Sequence, residues 1–304
     1  MVKDFYYCSC GAGLIRTRQW EPAEPPCGVV QLIHGIAEHV ERYDGFASYL
    51  NTLGYLVVAQ DHMGHGKSGG NALARGYFFG GWFAAADDTY QLLKDTMSKY
   101  PAMPYVLFGH SMGSFLARTI LAKYPDSGIS GCIICGTGWM PDAVLGMGKS
   151  TANMICKLCG EENPSKLLQS LMFGSYNKRV EHPRTSFDWL TRDAHMVDAY
   201  VSDPNCGFVA SAGLARDMLT GMQYIQKPET LSQMNHDLPV LFVAGSDDPV
   251  GNYGVGVMDA VDEFKKAGMQ NVSSKLYPLC RHEILNEINK DEVYQDIGIW
   301  IQHI

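Results

Sequence analysis

Apolar residues along this chain fall into two alternating rhythms. Short β-prone runs occur at 29–33 (VVQLI), 55–60 (YLVVAQ), 105–108 (YVLF), 129–135 (ISGCIIC), 240–244 (VLFVA) and 272–277 (VSSKLY). The continuous ones have the length and branching of strands buried on both faces. Between them, apolar residues recur at helical spacing over 40–53, 82–100, 256–267 and from 291 to the end, and a further helix follows residue 113 and stops near Tyr124-Pro125. Two more strands, 3–10 and 14–21, flank Gly11-Ala12-Gly13 and read as a hairpin. Eight strands with helices between the later ones predict an α/β fold, with a mostly parallel sheet covered on both faces and two antiparallel strands at one edge. The alternation breaks once. Residues 139 to about 230 are helical in pattern with no convincing strand. The expected division is therefore a core of 1–138 and 231–304, with a helical insertion at 139–230.

The segment 105–118, YVLFGHSMGSFLAR, carries the sharpest chemical signal. A strand, then Gly109-His110-Ser111-Met112-Gly113, then a helix is the setting in which G-x-S-x-G forms a nucleophile elbow. A serine hydroxyl is a weak nucleophile and must be offered to a base and a substrate together. A tight strand-to-helix turn does this at the cost of backbone strain, and the two glycines let strand and helix pass closely. The Met112 amide, at the helix start, would then point at a developing oxyanion.

A serine nucleophile needs a base and an orienting acid from loops at the carboxyl ends of later strands. The loop after 240–244 reads GSDDPV and that after 272–277 reads PLCRHE. Serine, acid, histidine is the chain order of a hydrolase elbow, so His282 is the expected base. Asp247 and Asp248 compete as the acid. Asp248 is favoured because Pro249 imposes an extended backbone that can aim it inward; Asp247 is read as a turn cap. The second oxyanion amide is expected from the turn HGIAEH at 34–39, at Ile36. His34 is expected to shape that turn from a buried position. Asp61 is expected to tie its loop to neighbouring amides, and His110 to point away from the reacting face.

Composition narrows the function classes. The 304 residues are 46% apolar and 18% charged, with net charge −8. No basic patch suits a nucleic acid. No apolar run approaches the ~20 residues of a membrane span. The first ten residues lack a charged-then-apolar signal pattern, so the nine cysteines are expected to be reduced, in the cytoplasm. Neither the C-x-x-C pairs at 132–135 and 156–159, nor Cys8 with Cys10, nor His62 with His65 has the context of a metal site, and no metal or organic cofactor is expected.

As a set, HGIAEH (34–39), DHMGHGKS (61–68), GHSMG (109–113), DDPVG (247–251) and RHEILNE (281–287) resemble the α/β-hydrolase family of monoacylglycerol lipases and bacterial lysophospholipases, often labelled serine aminopeptidase S33. The resemblance covers nearly the whole chain and departs at Met63, where many relatives carry arginine. It implies an α/β-hydrolase fold with a helical cap, Ser111, Asp248 and His282 as catalytic triad, and the Ile36 and Met112 amides as oxyanion hole. It implies hydrolysis of a small-molecule or single-chain lipid ester through an acyl-enzyme. A short-chain or aryl carboxylesterase is the alternative, with an aminopeptidase or a non-catalytic ligand-binding protein behind it. The segments SFDWLTRD (186–193) and DPNCGF (203–208) resemble the cap of bacterial members.

The insertion carries Met140, Met147, Met154, Ile155, Leu158, Leu167, Leu168, Leu171, Met172, Phe173, Phe208, Met218, Leu219 and Met222. Most are expected to pack the cap's own small core. The remainder are expected to line an acyl tunnel over Ser111, with transient membrane contact through the cap's apolar face. Gly146-Met147-Gly148 is expected to be a loop, fixed or mobile.

Overall fold

The computed structural model describes residues 1–69 and 74–304. The segment from Asp61 to Gly70 is rich in glycine and expected to be a loop; Gly70 lies outside the described residues. Eight strands form one sheet: β1 (Val2–Cys8), β2 (Leu14–Trp20), β3 (Gly28–Ile33), β4 (Tyr55–Gln60), β5 (Tyr105–His110), β6 (Gly131–Cys135), β7 (Val240–Gly245) and β8 (Val272–Tyr277). Their order is β1-β2-β4-β3-β5-β6-β7-β8. The β1–β2 and β2–β4 pairs are antiparallel and the rest parallel. This is the eight-stranded, mostly parallel α/β-hydrolase sheet that the apolar rhythm predicts. The helix expected over 40–53 divides into a 3-10 turn, Val40–Tyr43, and α1 (Asp44–Thr52).

Side-chain alternation within the apolar strands builds two cores. Val29, Ile33, Leu56, Val58 and Leu107 face α2 (Gly81–Lys99), α3 (Met112–Lys123) and α9 (Val255–Lys266). Their neighbours Val30, Leu32, Val57, Ala59, Val106 and Phe108 face α1 and α10 (Lys290–Gln302). The chain leaves β3 through α1 on one face and returns from β4 to β5 through α2 on the other. The loops after β3 and β5 therefore diverge and open a crevice at a topological switch point.

Between β6 and β7 the chain runs through α4 (Asp142–Cys159), α5 (Lys166–Phe173), α6 (Ala194–Ser202), α7 (Ala212–Ile225) and α8 (Pro228–Leu231). Gly146 and Gly148 lie inside α4, so the loop expected there is a helix. The surrounding residues alternate at helical spacing, and α4 packs along α7, which outweighs the modest cost of two helical glycines. From α7, Leu214, Met218, Met222 and Ile225 join the core on the α2–α3 face. Among the described residues, no helix is long and apolar enough to cross a membrane.

Candidate active site

Ser111 sits between β5 and α3 with φ 55° and ψ −121°, a left-handed backbone that a non-glycine residue adopts only under constraint. The constraint is visible. Its N–H donates to the Cys135 carbonyl at 2.9 Å, and its own carbonyl accepts from both the N–H and the hydroxyl of Ser114, at 2.8 and 2.6 Å. A methyl group on Gly113 would strike the Ile33 carbonyl, which is why strand and helix can cross here only with glycine.

His282 and the two aspartates come from the loops after β8 and β7. The His282 Nδ1 donates to Asp248 Oδ2 at 2.9 Å. Asp248 is fully buried, and its other carboxylate oxygen accepts from the Val250 N–H at 2.8 Å. Asp247 is exposed, accepting only from the Ser246 hydroxyl at 3.3 Å. The His282 ring lies between Trp189 and His110, with centroids 5.1 and 4.7 Å away. Ser111 and His282 both face one pocket. Asp248 stands behind the histidine and is not part of the pocket wall. No hydrogen bond joins the Ser111 hydroxyl to His282. Among the described residues, the Ile36 and Met112 N–H groups have no acceptor. For Met112 this follows from its place as first residue of α3.

The turn after β3 is held by a buried charged network that sequence reasoning missed. One Glu38 oxygen accepts from the Gly35 N–H (2.6 Å), the Tyr43 hydroxyl (2.9 Å) and His110 Nδ1 (3.2 Å). The other accepts from Arg42 (2.7 Å), which also makes a two-pronged contact with Glu283, beside His282 (2.5 and 2.6 Å). A Cβ on Gly35 would lie 2.8 Å from Glu38 Oε1 and 3.0 Å from the Ser111 Cβ, so the turn abuts the serine. Burial would raise the Glu38 pKa, but His110 and Arg42 hold it well below the carboxylate range. Burial likewise opposes charge on His110, yet Glu38 raises its pKa above the usual value. His110 lines the pocket and packs against His282 with the rings tilted by 43°, against the expectation that it points away. The available signal was Glu38 and Arg42 at i, i+4 directly after a buried strand, a spacing that puts opposite charges together.

His34 occupies its expected place. It is buried, its Nδ1 donates to the Gly35 carbonyl (2.7 Å) and its Nε2 accepts from the His62 N–H (2.9 Å). His62 and His65 pack around it, with centroids 4.2 and 5.4 Å away. Burial depresses all three rings, His34 well below the usual value, His62 to about 3 and His65 to about 4. Asp61 ties its loop as expected, accepting from the Val40 and Lys67 N–H groups and from Arg16.

The pocket over Ser111 has a volume of about 420 Å³. Its apolar wall is Ile36, Phe173, Phe187, Trp189, Leu190 and Val209, with Tyr200 and His110 beside them. Of the fourteen apolar residues expected to pack or line the insertion, only Phe173 reaches this wall. Met140, Met147, Met154, Leu158, Leu167 and Leu171 stand exposed instead. Helical spacing alone cannot say which face of an inserted helix meets the sheet. The segment 188–192 is fastened to the His282 loop, with Glu283 N–H on the Leu190 carbonyl (2.7 Å) and Arg281 on the Asp188 carbonyl (2.7 Å).

Comparison with known proteins adds a family and several relatives. A family model described as "Serine aminopeptidase, S33" matches residues 24–289. The chain is 30% identical to the monoacylglycerol lipase of Mycolicibacterium smegmatis over 285 residues, covering 93% of this chain and 90% of that protein. It is 26% identical to the monoglyceride lipase of Mus musculus over 291 residues, covering 94% and 86%. Its fold is similar to that of a thermostable carboxyl esterase from Bacillus coagulans solved with glycerol, with a TM-score of 0.92, 30% identity and coverage of 100% and 98%.

Proposed function

Because this chain belongs to the serine aminopeptidase S33 family and has the α/β-hydrolase fold of lipases and esterases, we propose that it is a serine hydrolase cleaving carboxylic esters of single-chain lipids, such as a monoacylglycerol or lysophospholipid. The observation that carries this reading is the strained Ser111 turn opening into an apolar pocket that it shares with His282, itself bonded to a buried Asp248. Ser111 attacks the ester carbonyl while His282 Nε2 takes its proton. The same proton then goes to the leaving alkoxide, and water repeats the cycle on the acyl-enzyme. Asp248 keeps the His282 proton on Nδ1 and stabilises the imidazolium. The unpaired Ile36 and Met112 amides receive the oxyanion. Bound substrate completes the serine–histidine contact, which is commonly loose in an empty site.

Residues 139–230 act as a cap. Phe173, Phe187, Trp189 and Leu190 suit an acyl chain and exclude water from the acyl-enzyme. Val144, Met147, Met154 and Leu158 form one exposed face of α4, beside Leu167 and Leu171 of α5. Such a face is suited to brief contact with a lipid surface. Amide cleavage by an aminopeptidase is disfavoured because the two acids of the pocket, Glu38 and Glu283, are already engaged, Glu38 by four hydrogen bonds and Glu283 by the Arg42 guanidinium.

The test is hydrolysis of p-nitrophenyl esters from two to sixteen carbons, with 1-monoacylglycerol and lysophosphatidylcholine alongside, compared with Ser111→Ala. The expected result is an optimum at medium or long chains, turnover of the glycerol lipid, and a loss of orders of magnitude in the variant at unchanged folding. A sharp fall beyond four carbons would replace the lipid reading with the short-ester one, and an unchanged rate in Ser111→Ala would end the mechanism.

A further inference from the structure

His39, Asp203 and Cys206 meet where the turn after β3 touches the segment following α6. One imidazole nitrogen, one carboxylate oxygen and Sγ all lie within 4.8 Å of one another. Among the described residues this is the only such convergence of three metal-ligating side chains. His39 and Cys206 are buried, and Asp203 is half-exposed, which leaves a path to solvent. The His39 Nε2 lies 2.8 Å from Asp203 Oδ2, and its Nδ1 faces Glu41 Oε2 at 3.9 Å. A histidine–carboxylate hydrogen bond alone would explain the first two residues. Cys206 packs with Trp189, Leu190 and Tyr200, yet its Sγ also comes within 4.8 Å of the His39 and Asp203 donor atoms, which that packing does not require.

We propose that His39, Asp203 and Cys206 bind a divalent transition-metal ion of the zinc class, which staples the segment after α6 to the turn after β3. The donor set chooses the ion. Imidazole nitrogen and thiolate sulfur suit zinc and disfavour calcium or magnesium, which take oxygen. Three protein ligands leave a fourth, solvent-facing position for water. Ligand atoms around tetrahedral zinc stand about 3.4 Å apart at ~2.1 Å bonds. The 2.8 Å pair must therefore open slightly and the widest pair close, which side-chain rotation supplies. On binding, the Cys206 Sγ–H proton leaves to solvent and the His39 proton resides on Nδ1. There Glu41 is placed to receive it, the usual outer partner of a metal-bound histidine. The nearby Arg42 does not repel the ion uncompensated, since Glu38 and Glu283 balance its charge.

The seam already carries two hydrogen bonds to the Ala37 carbonyl, from Gly207 N–H (3.0 Å) and the Tyr200 hydroxyl (2.9 Å). A metal would replace the His39–Asp203 hydrogen bond between the same two segments with coordination to both, beside the turn that Glu38 holds against Ser111. Asp203 and Cys206 are close in sequence, but His39 lies 164 positions before Asp203, so no spacing motif announces all three.

Chelator-dialysed protein would be titrated with Zn²⁺ against a chromophoric chelator, and with Co²⁺ by absorption. One equivalent should bind, and the Co²⁺ form should show a sulfur-to-cobalt charge-transfer band. Cys206→Ser should abolish the band, and both it and Asp203→Asn should weaken Zn²⁺ at least about tenfold. Melting of the wild type should rise by about 5 °C at a hundredfold excess over Kd, and the same metal excess should leave the melting of Cys206→Ser unchanged from its own metal-free value. No stoichiometric binding would overturn the proposal. So would a band that survives Cys206→Ser and disappears on replacing the exposed hairpin thiols Cys8 and Cys10.

Discussion

Beneath Ser111, Glu38 alone accepts four hydrogen bonds and Arg42 spans two carboxylates. In the insertion, by contrast, α4 and α5 present Leu158 and Leu167 to solvent at 78% and 60% exposure. The floor is over-determined. Gly35 cannot shift without breaking a carboxylate from its partners, so the Ile36 amide beside it is preorganised before substrate arrives. The insertion is anchored at its edges, through α7 in the core and 188–192 on the His282 loop, and its outer helices carry apolar surface with nothing packed on it. A floor built this way suits invariant bond-making geometry. A roof built this way can vary in what it admits without disturbing the chemistry below.

The sharpest break in that contrast is Asp248→Asn. Hydrolysis should fall about a thousandfold or more, through a wrong imidazole tautomer, while Asp247→Asn stays close to wild type in the same steady-state assay. The opposite order would mean that the exposed aspartate is the acid. Next comes Arg42→Met, which strands two buried carboxylates. It should cost about 3–5 kcal/mol by denaturant unfolding, and a loss under 1 kcal/mol would show the floor to be looser than its contacts imply.

Acid probes the same floor. The depressed rings of His62 and His65 stay neutral in the folded chain while the unfolded chain takes up protons below about 6.5. Their contribution to stability is therefore complete above that pH and is lost as pH falls towards about 4 and 3. His110, raised by Glu38, works in the opposite sense: its contribution is present at low pH and lost as pH rises through its folded value. With His34 also depressed, three rings oppose one, so stability should decline on acidification. His65→Asn, which retains a donor for the Met63 carbonyl, should recover roughly 3 kcal/mol of the decline by pH 4. An unchanged acid limb in thermal melts at pH 7 and 4 would remove His65 from the account.

The smallest expected effect lies on the roof. Leu167→Ser with Leu171→Ser should change unfolding stability by no more than about 0.5 kcal/mol and reduce flotation with liposomes severalfold. Flotation equal to wild type, or absent in both, would end the proposal of lipid contact.

The core strands were legible in the sequence because a strand buried on both faces must be apolar throughout, and that run is local. The elbow was legible because its glycines, serine and following helix are consecutive. The sequence alone therefore determined the α/β alternation, the place of Ser111 at the end of β5, and the loops from which His282 and an acid would come. Pro249 favoured Asp248 over Asp247 in the sequence, but only the tertiary structure shows Asp248 buried and bonded to His282, since that contact depends on where two loops meet. It also decided that His110 turns toward His282, that Glu38, Arg42 and Glu283 form one network, and that the insertion's methionines face away from the pocket. These are choices of face and of partner, made by contacts between residues up to 241 positions apart, and the local pattern of apolar and polar residues contains no record of them.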